Sequence, residues 1–552
     1  MTNNRHVTHP VTRDLPHSVR ELFWSWAPRA AREVSLFRGD VSSEGEDEAI
    51  TALKTSSDAE NEVDDLPRNN KYWAIITTGA GLFSDGYINN SIGTTSLCLS
   101  MIYGKQYTAS NALKNVSSIA FVGTVVGQLS FGYLSDYHSR RMAMLVGTLI
   151  LIVFSILCAG AWGVNTTGTN AGGLFAAITA YRFFLGVGIG SEYPAGSTAA
   201  AEASNTLPAG RRNRWFCWFT NFMIDTGFVV SSVVPLVMLR ICGEKHLQPV
   251  WRVTLGLGAI PPISLFFLRL KYKEGKRYVQ SRFNHAMPYW RIIKFYWFRL
   301  TIVSIIWFIY DFSSYSFGTY SSIILDTVLG DDASLTKSFG WNIVFNLFYI
   351  PGAFLGAIFA DYWGPRNTLV VGVTLQAVLG FIMAGCLEHL RKHIGGFVVV
   401  FGIFSTLGEF GPGDNIGCLA SKTSATPVRG HYYGIAAAVG KIGAFVGTYV
   451  FPIIMKRAGG EDTTPGLQAP FWVSASLCLF AAFLALFFLP PVDQESNNLE
   501  DELFIEYLES TGYDTSLMGT SRNGHQPEAG KVTSAATESL SSKEVKDQTI
   551  IN

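Results

Sequence analysis

The chain alternates long apolar runs with short polar breaks, and the runs are too uniformly apolar for the half-buried helices of a soluble domain. Twelve runs reach about 20 residues, the length at which a helix crosses a ~30 Å hydrocarbon layer. They begin near Trp73, Val116, Met142, Gly172, Asn213, Val250, Leu300, Phe339, Thr368, Gly395, His431 and Gln468. Only helices suit such spans, because backbone polar groups in lipid must be satisfied within their own segment. The pattern predicts an all-α polytopic membrane protein with 12 transmembrane helices in two six-helix halves. It divides into a tail (1–70), a first bundle (71–270), a linker (271–298), a second bundle (299–489) and a second tail (490–552).

Composition sharpens this picture. Charged residues are only 15% of the 552, against about 25% in soluble proteins. The formal net charge of zero gives no reason to expect a nucleic-acid partner. That zero is a cancellation. The residues before Lys71 hold 8 basic and 13 acidic groups, those after Leu489 hold 4 and 12, and the stretch between holds 30 and 17. The 7 Cys include no Cys-x-x-Cys pair, which removes a disulfide framework and a zinc ribbon. The His residues lack metal-ligand spacing, and no phosphate-binding loop suggests ATP drive. No metal or other cofactor is expected.

No cleavable signal peptide precedes Lys71, so the first span is expected to target the chain to the membrane. Lys and Arg in short loops set orientation. With the N-terminus in the cytosol, 17 basic loop residues face in and 9 face out, which places both termini in the cytosol. The linker separates two halves that echo each other. Gly132-Tyr-Leu134-Ser-Asp136-Tyr-His-Ser-Arg140-Arg141 follows the second span, and Gly356-Ala-Ile-Phe-Ala-Asp361-Tyr-Trp-Gly364-Pro-Arg366 follows the eighth. Tandem halves are what alternating access requires. The first of these stretches resembles the cytosolic motif of the major facilitator superfamily. The resemblance implies that Asp136, Arg140, Arg141, Asp361 and Arg366 form a charge lock that breaks and reforms as the halves rock.

Ionisable residues inside apolar spans cost about 2.5–3.5 kcal/mol each on insertion scales, so they mark a pathway or site. Here they are Asp85, Arg182, Glu192, Asp225, Asp311, Glu409, Asp414 and Lys441, expected to converge on a central cavity. Trp307, Asp311 and Tyr315 repeat every four residues and share one helix face, where an indole, a carboxylate and a phenol suit an oxygen-rich solute. An aromatic packing stripe with one satisfied Asp has the same spacing. Arg182, Gly186 and Gly190 also repeat every four residues and make a smooth face for a neighbouring helix.

At several of these positions the chain resembles the phosphate:proton symporters. Gly190-Ser-Glu192-Tyr193-Pro194 is similar to their Gly-Gly-Asp-Tyr-Pro signature, and the Trp307/Asp311/Tyr315 spacing matches their seventh helix. Asp225 stands where they have a phosphate-binding Gln, and Lys441 lies in a stretch similar to the start of their eleventh helix. There are departures. Asp85-Gly-Tyr87-Ile88 lacks a second carboxylate, and either Glu409 or Gly413 takes the place of a binding Asn. Ser84-Asp85-Gly86-Tyr87 with Asn89-Asn90, and Glu192-Tyr193-Pro194, are closer to the fungal glycerophosphodiester permeases.

The resemblance implies proton-coupled uptake of a small anionic phosphate-containing solute by a monomer in the cell membrane. Tyr193, Asp225, Trp307, Asp311, Tyr315, Glu409 and Lys441 are expected to meet substrate, with Lys441 supplying a cationic field or pairing structurally with an acid. Asp85, Glu192 and Arg182 are expected to couple protons. The alternatives are inorganic phosphate, another organic anion or metabolite, and a non-transporting nutrient sensor. Asn165-Thr-Thr167 is a glycosylation sequon on an outer loop. Val19 to Arg38 mixes Trp24 and Trp26 with Arg29 and Arg32, as an interfacial helix or a disordered basic segment would. Both tails are otherwise expected to be disordered.

Overall fold

The structure is a computed structural model. It describes residues 68–519 apart from 168–169, 209, 285, 330–333, 391–392, 461–462, 493 and 495, together with 15, 16 and 19. Residues 20–38, all but the first residue of the segment that mixes Trp24 and Trp26 with Arg29 and Arg32, therefore lie outside the described residues.

The first span, α1, runs from Arg68–Gly79 through a 3-10 turn at Ala80–Leu82 into Phe83–Tyr103. After it come α2 (Ala112–Tyr137), α3 (Arg140–Ala159), α4 (Leu174–Ser204), α5 (Arg212–Cys242) and α6 (Leu247–Leu270). The second half holds α7 (Tyr289–Gly318), α8 (Leu335–Tyr362), α9 (Pro365–Leu390), α10 (Gly395–Lys422), α11 (Thr426–Arg457) and α12 (Thr464–Phe488). Among the described residues, α2 to α12 are the 11 helices long and apolar enough to span a membrane by themselves. α1 falls short because Asp85, Ser91, Thr94 and Thr95 dilute its apolarity, and all four are buried inside the bundle. Along α3, Met142, Val146, Leu149, Val153 and Ile156 are exposed at steps of four and three, a stripe that faces lipid.

Within the first half α2 packs on α4, α3 on α4 and α1 on α5; in the second, α7 packs on α11 and α9 on α12. The halves meet through α2 against α11 and through α5 against α8. A Cβ on Gly186 or Gly190 would strike the α2 backbone at Ala120 or Thr124, so these glycines permit the close approach of α4.

Two spans carry a π-helical segment, Glu192–Ser197 in α4 and Glu409–Gly413 in α10. Each holds a proline, Pro194 or Pro412, whose missing N–H leaves a carbonyl unpaired and favours a widened turn. The two segments occupy matching places in the two halves.

Two boundaries differ from expectation. The seventh helix starts at Tyr289 rather than near Leu300 and continues to Leu329, which shortens the linker. Residues 490–552 are not a uniformly disordered tail, because α13 (Ser496–Ser510) docks on the bundle. Its Phe504 and Leu508 are fully buried. Its Glu500 accepts from Arg299 at 2.9 Å and from Tyr296 at 3.0 Å. Asp501 accepts from the Thr426 amide at 2.6 Å, at the start of α11. The amphipathic pattern of these residues was hidden by their net acidity. α13 and the linker lie at the same end of the bundle, the linker end.

Candidate functional site

At mid-bundle Lys441 of α11 lies between two carboxylates. Its Nζ is 3.4 Å from Asp85 Oδ2 of α1 and 3.4 Å from Asp311 Oδ2 of α7. It also donates to the Tyr315 hydroxyl and lies 3.8 Å from the centre of that ring. Asp85 accepts further bonds from Asn89 and Tyr193, and from Tyr315 at 3.3 Å. Asp85, Asp311 and Lys441 are each 1% exposed. Burying such groups is tolerated because they are paired and hydrogen-bonded to one another. Trp307 completes the group, with its ring 6.2 Å from that of Tyr193 and 5.4 Å from that of Tyr433. The helical stripe Trp307/Asp311/Tyr315 therefore faces the cavity together with Tyr193 and Lys441.

Asp225, Glu409 and Asp414 line the same cavity. Glu409 accepts from Tyr310 at 2.6 Å and from Asn221 at 2.9 Å. This inner cavity is about 40 Å³, room for a water or two. It adjoins a vestibule of about 680 Å³ at the opposite end from the linker, and both cavities are lined by Phe228, Ser314 and Tyr315. Asn89, Asn90, Asn342 and Asn346 give the vestibule a hydrogen-bonding wall, with Lys114 and Lys456 also lining it.

Two expected coupling residues lie elsewhere. Glu192 does not line the cavity. It is clamped by Arg269 of α6 through two bonds of 2.6 Å, and Arg269 also donates to Thr148 and to the carbonyls of Thr77 and Thr78. This bidentate pair belongs to the packing of the first half. The sequence does not mark this pair, because Arg269 ends an apolar run beside the basic linker. Arg182 is buried, donating to the carbonyls of Val116 at 2.8 Å and Ile88 at 3.3 Å. It ties α4 to α1 and α2.

The duplicated loop residues close the linker end. Asp136 caps α11 by accepting from the amides of Gly430 at 2.9 Å and His431 at 2.7 Å, and it pairs with His431 Nδ1 at 2.8 Å. Asp361 caps α5 by accepting from the Asn213 amide at 3.0 Å, with Arg214 at 2.6 Å and Gln494 at 2.8 Å. Each Asp thus neutralises the positive end of a helix from the other half. Arg140 pairs with Asp136 at 3.7 Å and with Glu202 at 2.9 Å, and Glu202 reaches Arg429 of the second half at 3.3 Å. Arg366 donates to the Leu489 carbonyl at 3.1 Å, and Arg141 to that of Leu270. The lock therefore runs from each Asp to a helix start across the interface, with Glu202, Arg429 and Arg214 as members the motif spacing did not indicate. Asn165 is exposed in a turn between α3 and α4 with φ of 61°, a conformation Asn tolerates.

A buried cation shared between acids of two halves, under a vestibule and over a closed gate, is a transporter's arrangement, and comparison with known proteins bears this out. A family model described as "Sugar (and other) transporter" matches residues 73–287 and again 284–504, once per half. The chain belongs to that family. It is a multi-pass membrane transporter, not an enzyme. Among this transporter's relatives, the Major glycerophosphoinositol permease GIT3 of Candida albicans is 54% identical over 514 residues, covering 92% of this chain and 94% of the relative. The Glycerophosphocholine permease GIT4 of the same organism is 54% identical over 516 residues, covering 93% and 94%. The Glycerophosphoinositol transporter 1 of Saccharomyces cerevisiae is 33% identical, covering 81% and 84%. Among solved structures, the major facilitator superfamily proton:xylose symporter XylE matches with a TM-score of 0.65 at 17% identity, covering 79% of this chain and 98% of that one. At that identity the match establishes the fold: two six-helix halves of the superfamily type.

Proposed function

We propose that this transporter carries glycerophosphodiesters together with protons into the cell, as a monomer in the plasma membrane with its linker end in the cytosol. The observation that carries the reading is Lys441, buried between Asp85 of one half and Asp311 of the other. The names of the 54%-identical relatives support the substrate class.

The chemistry follows from what a diester lacks. It keeps one negative charge and has no P–OH left to donate, so it competes with carboxylates for the same donors. Protonation of Asp85 from the vestibule removes one competitor. Lys441, Tyr193, Tyr315 and the Trp307 indole then turn toward the phosphoryl oxygens. Because the proton and the diester together leave the net buried charge unchanged, the caps at Asp136 and Asp361 part and the cavity opens to the cytosol. There Asp85 loses its proton, reclaims Lys441 and displaces the diester. The proton gradient supplies the drive, and no cofactor takes part. Asp225 and Glu409 meet the remainder of the solute, while Glu192 and Arg182 hold the first half together.

Proteoliposomes containing a lumenal pH dye test this. External glycerophosphoinositol should acidify the lumen with the wild-type chain, and Asp85→Asn should move labelled diester without acidification. Undiminished acidification with Asp85→Asn overturns the coupling scheme. Flux of inorganic phosphate alone, or of nothing, overturns the substrate assignment.

A further inference from the structure

The inner cavity is bipolar. Lys441 is the cation among the described residues that line it, and its charge is already divided between Asp85 and Asp311. Elsewhere in the same lining are Asp225 from α5 and Glu409 and Asp414 from α10. Glu409 is satisfied by Tyr310 and Asn221. Asp225 is not: it is 0% exposed, and neither of its carboxylate oxygens has a hydrogen-bond partner. Asp414 is likewise buried with no hydrogen-bond partner on either carboxylate oxygen. A fully buried, unpartnered carboxyl on a cavity wall takes either a proton or a ligand group that supplies what the protein withholds.

That ligand group is not the phosphate. A phosphodiester anion has no O–H to donate to these three acids, and at any of them that is ionised it would meet like charge in a medium that screens it poorly. It is not a metal ion either, since among the described residues no three acidic, His or Cys groups converge closely enough to hold one. Phe228, Tyr310 and Trp307 line the cavity as well. Carboxylates beside aromatic faces make a site for an ammonium group, including a quaternary one that has no N–H to donate.

We propose that Asp225, with Glu409 and Tyr310, forms a subsite for the cationic alcohol end of a zwitterionic phosphodiester whose phosphate sits on Lys441. The proposal rests on the phosphodiester reading above. It makes the acidic wall a selector among diesters: a choline ester is matched in charge at both ends of the site, whereas an inositol ester meets the acids only through hydroxyls.

The test is the initial uptake of radiolabelled glycerophosphocholine and glycerophosphoinositol by the same cells, expressing the wild-type chain, Asp225→Asn or Glu409→Gln. Each substitution should lower the ratio of choline-diester to inositol-diester uptake about tenfold or more, the scale of a desolvated cation contact. Glu409→Gln retains an oxygen for Tyr310 and so guards against a folding failure of the first variant. An unchanged ratio, with both rates falling together as for a proton carrier or a folding requirement, overturns the subsite. So does wild-type uptake confined to the inositol ester, or variants that reach the membrane and carry neither ester. Failure of the wild-type chain to take up either ester is a distinct result, and it sinks the diester reading itself.

Discussion

Lys441 holds the two halves together through charge, so neutralising it removes both the substrate's anchor and the shared contact. Losing one charge-assisted hydrogen bond costs about 1.5–3 kcal/mol. Lys441→Gln should therefore lower initial uptake roughly 10- to 100-fold while the protein still reaches the membrane; near-normal uptake by that variant would show that Lys441 is structural. Glu192 poses the opposite case. Glu192→Gln leaves Arg269 buried without its partner and should cost about 3–5 kcal/mol of stability. Glu192→Gln with Arg269→Met should recover most of the lost melting temperature in detergent, as a purely structural pair requires. Both residues stood out in the sequence for the same reason, since an ionisable side chain in an apolar span is costly wherever it lies. Helical pitch says which residues share a face but not which neighbour that face meets. Lys441, Asp85 and Asp311 were therefore legible as site residues, and the Glu192–Arg269 clamp was not.

At the scale of elements, the π-helical segments of α4 and α10 are the feature that shapes the cavity. Each widens its helix where Tyr193 or Glu409 has to project inward, and each repeats the Glu-x-x-Pro or Glu-x-Pro theme of the other half. The prolines and glycines were visible in the sequence, but the widened turn depends on packing against α9 and α2 and was not. α13 is the second such element. Its hydrophobic residues Phe504 and Leu508 sit between acids, so composition pointed to a solvated tail while the folded chain buries one face. Glu500→Ala with Asp501→Ala removes the α13 carboxylates that accept from Arg299, Tyr296 and the Thr426 amide. That double variant should speed proteolysis between α12 and α13 several-fold, read as loss of a C-terminal epitope; unchanged protection would mean that apolar packing alone docks α13.

At the scale of the molecule, the fold was legible almost entirely, because about 20 apolar residues per span and a duplicated Asp-bearing turn leave few arrangements open. The state of the molecule was not. The vestibule is open while Asp136 and Asp361 cap helices of the opposite half, so the closed end is the linker end. Each lost cap costs about 1 kcal/mol. Asp136→Ala with Asp361→Ala should shift the population toward the linker-open state and reduce labelling of a cysteine at Asn342 from the vestibule side several-fold. Equal labelling would place the conformational bias elsewhere. The central claim is that the cavity around Lys441 carries a phosphodiester with a proton, and one assay bears on it most directly. That assay is the uptake of radiolabelled glycerophosphoinositol by cells lacking their own diester transporters, at two external pH values. The account predicts accumulation that rises as external pH falls, is competed by unlabelled diester and is indifferent to inorganic phosphate. Accumulation no greater than in cells without the chain, or uptake displaced by phosphate and insensitive to pH, would contradict it.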